Sequence, residues 1–174
     1  MVQVMSREQQ IESAFGINHC IHFPPLAQAR HRHVLYNSLR WHTYDPHRRL
    51  KRVLRMMVET YLSQSFGMLT QDFPLTDSCV SVDVTFLISR PDSHFVGPNR
   101  SLGIHPRYER SMPTVRGDID NYMKFFLDAI DGIFFSNDRD VVTISASKLY
   151  TTEQRGRIIF NIRHRDMNIV NLID

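Results

Sequence analysis

Two carboxylates, Asp118 and Asp120, open the stretch Gly117-Asp118-Ile119-Asp120-Asn121-Tyr122-Met123-Lys124, and a third, Asp138, returns after Asp131-Gly132. Carboxylates suit a hard divalent cation, and Mg²⁺ is usually held by only one or two of them, with waters and a substrate phosphate completing its shell. Ions held in this way meet the needs of phosphodiester hydrolysis: a nucleophilic water, neutralised phosphoryl oxygens and a stabilised leaving oxygen. Without a cation, three clustered acids would resist simultaneous ionisation and raise one another's pKa. Lys124 could contact the scissile phosphate or orient water, or instead form an i,i+4 ion pair with Asp120 or Asp128. Asn121 could orient a ligand from behind, or help cap a helix. An Asp/Lys stripe of this kind also occurs as a plain solvated helix face.

A helix must carry these groups. Asp118 or Asp120 is a good N-cap, because a carboxylate accepts from free backbone N–H groups and suits the positive helix end. Ile119, Met123, Phe126, Leu127 and Ile130 recur at helical spacing and predict one apolar face. At about 100° per residue, Asp120, Lys124, Asp128 and Asp131 fall on an opposite stripe roughly 80° wide. Gly132 can close the helix in a left-handed cap.

The ordered set Asp118-x-Asp120-Asn121-x-x-Lys124-x-x-x-Asp128-Ala129-Ile130-x-Gly132, then Asn137-Asp138-x-x-Val141, resembles the signature of the RusA family of Holliday-junction resolvases. That family carries D-x-D-N-x-x-K, D-A-L-x-G and usually D-D-x-x-V. Here Asn137 stands for the first acid of the last pair, which leaves Asp138 as the functional partner. The resemblance is dense over residues 117–150. It implies catalytic roles for Asp118, Asp120, Lys124 and Asp138, with Asp118, Asp120 and Asp138 as metal ligands. It further implies Mg²⁺ as cofactor, Mn²⁺ as a possible substitute, branched DNA (a four-way junction) as partner, and a homodimer with one site per symmetric cut.

Charge is unevenly spread. Residues 22–55 hold eight Arg or Lys against Asp45, whereas residues 118–140 hold six Asp against Lys124 and Arg139. Arg outnumbers Lys by 18 to 3, which suits bidentate phosphate contacts. A basic face attracts phosphates, and an acidic focus repels them unless a cation intervenes. Candidate DNA contacts are Arg30, Arg32, Arg48, Lys51, Arg52 and Arg116, and the resemblance adds Lys148, placed where the family often has a basic residue late in its strand. His31 and His33 lack a third metal ligand at sensible spacing. Cys20 and Cys79 read as reduced core thiols, and an intracellular compartment is expected.

Length predicts one domain with a real core. The fold expected is α+β: a single small domain with a mixed or antiparallel sheet of about four strands packed by two main helices. Residues 1–16 read as an N-terminal helical extension and 17–174 as the RusA-like domain. A short helix runs from a Ser6 cap to Gly16, then a strand over 17–23 and a loop through Trp41 to Tyr44. A helix starts at Asp45-Pro46 and ends at Gly67. Cys79–Ser89 alternates as a strand, and residues 89–117, with five Arg, suggest a mobile basic flap. Val141–Tyr150 and Arg157–Arg163 read as strands joined by a hairpin turn.

The function expected is Mg²⁺-dependent, structure-selective cleavage of Holliday junctions. One rival is a module that grips branched DNA without cutting it. Another is a nucleotidyltransferase or phosphatase. The first of these would want a Gly-Ser helix start before a strand-borne pair, and the second an apolar strand leading into its aspartyl nucleophile; neither is present.

Overall fold

A computed structural model describes residues 6–29, 32–36, 40–114 and 117–165, and the side chains of residues 32–43 are outside that description. Alternation decides the central strand. Val80, Val82, Val84, Phe86 and Ile88 fall on one side of β4 (Val80–Ser89) and are all buried. Strand β5 (Val141–Thr151) runs parallel to it, from Ser81 opposite Thr143 to Ser89 opposite Thr151. Parallel neighbours need a crossover. The helix Ile119–Ile130 supplies it, and so is laid across one face of the sheet.

The strands β1 (His19–Ile21) and β6 (Arg157–His164) complete a mixed four-stranded sheet in the order β1-β6-β4-β5. The hairpin expected between the last two strands does not form. β6 pairs antiparallel with β4 rather than β5, and the connection passes over the end of β4. Gly156 makes that crossing possible, because a Cβ there would lie 2.5 Å from the Leu87 carbonyl oxygen. A strand buried along its whole inner face is better paired on both edges, which the C-terminal strand achieves here.

Helix α1 (Arg7–Glu12) starts at Ser6 in a capping box with Gln9. Helix α2 spans Arg48–Phe66 and ends at Gly67 in the left-handed region, φ 66°, as expected. It starts later than Asp45-Pro46 suggested, because the Asp45 carboxylate accepts from the His47 N–H at 2.8 Å in a turn ahead of it. The crossover helix Ile119–Ile130 is α3. Leu54, Val58 and Leu62 of α2 and Phe125, Phe126, Ala129 and Ile130 of α3 are buried in one core with the sheet. Phe160 ties the layers, its ring centroid 5.1 Å from Phe126 and 5.7 Å from Phe134.

The stretch expected as a loop through Trp41 to Tyr44 is an antiparallel ribbon of β2 (Arg32–Tyr36) and β3 (Arg40–Tyr44). Aromatic and β-branched residues on both sides of Asn37-Ser38-Leu39 make pairing favourable there. The segment expected as a mobile flap is built of three short 3-10 turns around buried Arg90. The Arg90 guanidinium donates to the Tyr108 carbonyl at 2.6 Å and to Ser111 Oγ at 3.0 Å, and lies over the Tyr150 ring. Among the described residues no helix is long and apolar enough to cross a membrane.

His19 is fully buried and links fold to pH. Its Nε2 bonds the Ala14 carbonyl at 2.8 Å and its ring stacks on Phe160. Burial lowers its pKa below the usual value, against the opposing pull of the Ala14 carbonyl. The unfolded chain then binds the extra proton first, so stability falls as pH drops below about 6.5 and is fully present above it. Thermal melts from pH 7.5 to 5 should show this decline, and His19→Phe should flatten it. An unchanged slope in that variant would assign the decline elsewhere.

Candidate active site

Asp118 is the N-cap of α3 but makes no side-chain cap bond, so its carboxylate is not engaged by the helix it starts. The turn before it is shaped by Gly117, at φ 82°, where a Cβ would meet the Ala27 Cβ at 2.8 Å. The Lys148 Nζ donates to the Gly117 carbonyl at 2.5 Å and lies 5.7 Å from the centre of the Tyr122 ring. From the other side the Gln28 N–H donates to the Asn121 carbonyl at 2.8 Å. The front of α3 is thus held from two directions. Gly117→Ala should destabilise the protein by about 1–3 kcal/mol, because it combines left-handed backbone with a close contact. Urea denaturation would measure it, and a change under about 0.5 kcal/mol would refute the constraint.

The buried face of α3 is rotated from the one its periodicity suggested. Tyr122, Met123, Phe125, Phe126, Ala129 and Ile130 are buried, whereas Ile119 is 38% exposed and Leu127 only half-buried. The helix packs against both the sheet and α2, which calls for a broad apolar surface. Ile119, Met123 and Leu127 are then free to wall a cleft of about 620 Å³ with Ile144 and Ala146 of β5. Its polar lining is Asp120, Lys124, Asp128 and Asp138. Asp120 and Lys124 come from the stripe opposite the core, and Asp138 is brought in from the far end of the crossover.

A short turn presents Asp138. The Asn137 side chain accepts from the Arg139 N–H at 3.2 Å, and Asp140 accepts from the Asn137 N–H at 2.9 Å. Asn in place of an acid therefore has a local task, capping the turn that carries Asp138. Nearby, Asp131 has its pKa raised, first by burial and then by the Asp138 carboxylate, with Arg55 opposing. Negative charge is concentrated at this end of the cleft.

Of the residues expected to act, the cleft brings together Asp120, Lys124 and Asp138; Asp118 stands just ahead of α3 and is not among the lining residues. Among the described residues no group of three or more His, Cys, Asp or Glu is close enough to hold a metal. Two cleft carboxylates still fit Mg²⁺, which commonly takes one or two and fills its shell with water and phosphate. Spacing alone did not mark Asp128 as a site residue, although it shares the stripe of Asp120 and Lys124. Its carboxylate bonds Lys51 Nζ at 2.6 Å, and among the described residues Lys124 is in no ion pair.

The basic candidates divide. Arg48 and Arg52 are exposed on the first turns of α2, which carry no acid of their own. Cations there are locally unfavourable, and an incoming phosphate would relieve them. Lys51 is instead held by Asp45 and Asp128, and Lys148 by the Gly117 carbonyl. Arg32 lies on β2 with its side chain outside the described set, and Arg30 and Arg116 lie outside the described residues.

Comparison with known proteins agrees with the signature read from Asp118 to Val141. The chain matches the family model described as endodeoxyribonuclease RusA over residues 22–163, a span that includes the whole cleft. It is also similar to the uncharacterized protein YqaN of Bacillus subtilis (strain 168), 26% identical over 145 residues, covering 80% of this chain and 94% of that protein. With residues 22–163 matched, most of its length, the chain belongs to the RusA family of endodeoxyribonucleases.

Proposed function

We propose that the protein is a divalent-cation-dependent endodeoxyribonuclease that resolves four-way DNA junctions by paired phosphodiester hydrolysis. The observation that carries this reading is the meeting of Asp120, Lys124 and Asp138 on one open cleft in a chain of this family. Asp120 and Asp138 would hold Mg²⁺, or Mn²⁺ in its place, with Asp118 near enough in sequence to join once DNA is bound. The ion, when bound, would polarise the scissile phosphate and lower the pKa of a water.

The chain's own residues do the rest. Lys124, exposed on the cleft wall, would donate to a phosphoryl oxygen as charge develops. Ile119, Leu127 and Ile144 give the cleft an apolar wall, and DNA seated against it would exclude water and strengthen these interactions. Arg48 and Arg52 would contact backbone phosphates, which position a duplex without reading its bases. A homodimer would set two such clefts against the two-fold symmetry of a junction.

Cleavage of a synthetic four-way junction in Mg²⁺, beside a linear duplex of the same sequence, tests the reading. Paired nicks confined to the junction are expected. Tight junction binding without cutting in Mg²⁺ or Mn²⁺ would leave a binding module, and indifference to branching would point to a smaller phosphate substrate.

A further inference from the structure

Lys51 stands between carboxylates from two separate parts of the fold. Its Nζ lies 2.7 Å from Asp45 Oδ2 and 2.6 Å from Asp128 Oδ2, with the side chain only 13% exposed. Asp45 directly follows β3, and Asp128 lines the cleft beside Asp120 and Asp138. Burial alone would push the Lys51 pKa down, yet the two carboxylates outweigh it and hold the ammonium above its usual value. Asp45 is fixed in turn by the His47 N–H at 2.8 Å. Lys51 therefore has little freedom to leave, and Lys124, the i−4 neighbour of Asp128, is not its partner.

A carboxylate already accepting from an ammonium at 2.6 Å has one oxygen occupied and, with Lys51 shared between Asp45 and Asp128, its charge partly offset. A cation entering the cleft would meet Asp120 and Asp138 with their charge uncompensated by any ion pair among the described residues, but Asp128 partly compensated and tethered to Lys51. We propose that Lys51 is a positioning residue that withholds Asp128 from the cation, so that Asp120 and Asp138 are the cleft carboxylates that bind it. This rests on the cation-binding reading of the cleft given above. The DNA-contact role expected for Lys51 is thereby replaced by one exerted through Asp128.

Mn²⁺ binding to the DNA-free, full-length protein, measured by titration calorimetry, tests it without recourse to cleavage. Lys51→Met should raise Mn²⁺ affinity about tenfold by releasing Asp128, and adding Asp128→Asn should return it to within about twofold of wild type. Asp128→Asn alone should leave the affinity within about twofold. If that single variant weakens binding as much as Asp120→Asn does, Asp128 is already a ligand and the proposal falls. An unchanged affinity in folded Lys51→Met overturns it equally. Should Lys51→Met fail to fold, Lys51→Gln in the same titration takes its place, with the same rise expected. Asp120→Asn and Asp138→Asn in the same titrations separate the two ideas. If neither weakens Mn²⁺ binding, the reading of the cleft itself is wrong; if both do, only the role of Lys51 is at issue.

Discussion

Asn in place of Asp120 should leave the protein folded and able to hold a four-way junction, while slowing its cleavage about a thousandfold. The size follows from the chemistry assigned to the cleft. A divalent cation is worth several kcal/mol of transition-state stabilisation, and each ~1.4 kcal/mol is a factor of ten in rate. Asn keeps the shape of Asp but removes the charge that holds the ion. Asp120 is exposed on the helix face away from the core, so its replacement should cost the fold little. Losing the charge could even tighten DNA binding slightly by easing repulsion of phosphates. Single-turnover cleavage and gel-shift titration together check the prediction. Cleavage within about tenfold of wild type would remove Asp120 from the chemistry.

Lys124→Met should lower the cleavage rate about a hundredfold with a much smaller effect on junction affinity. Removing one well-placed donor to a developing oxyanion typically costs about 10²–10³ in rate. The competing role, an ion pair supporting the helix, predicts only a few tenths of a kcal/mol of stability and no effect on rate. The structure favours the first, since Asp128 bonds Lys51 and Lys124 is left facing the cleft. Lys124→Arg should recover part of the rate by restoring the cation. A variant that binds DNA weakly but cuts bound DNA at the normal rate would make Lys124 a simple backbone contact. In that case its loss should also reduce the salt dependence of binding by about one ion.

These two expectations draw on different kinds of information. Asp120 and Lys124 are legible along the chain because an α-helix converts spacing into position: residues four apart share a face whatever surrounds them. The same locality made Ser6, Gly67 and the alternation of Val80 to Ile88 readable, since caps and pleats are settled by near neighbours. The apolar face of α3 was read less well. Periodicity marked Ile119 and Leu127 as core, but the helix is covered by both the sheet and α2, and the rotation this imposes turned them toward the cleft.

Local chemistry by itself therefore determined where the acids lie, that a helix opens at the Asp118–Asp120 pair, where the central strand alternates and where α2 stops. Tertiary structure alone decided that Asp138 lines the same cleft as Asp120, that Lys51 reaches Asp128 across 77 residues, and that the last strand pairs with β4 instead of its sequence neighbour. The physical reason is that caps and pleats are set by a few adjacent torsions and hydrogen bonds. Contacts between distant residues depend instead on how whole faces are buried against one another, and no short spacing records that.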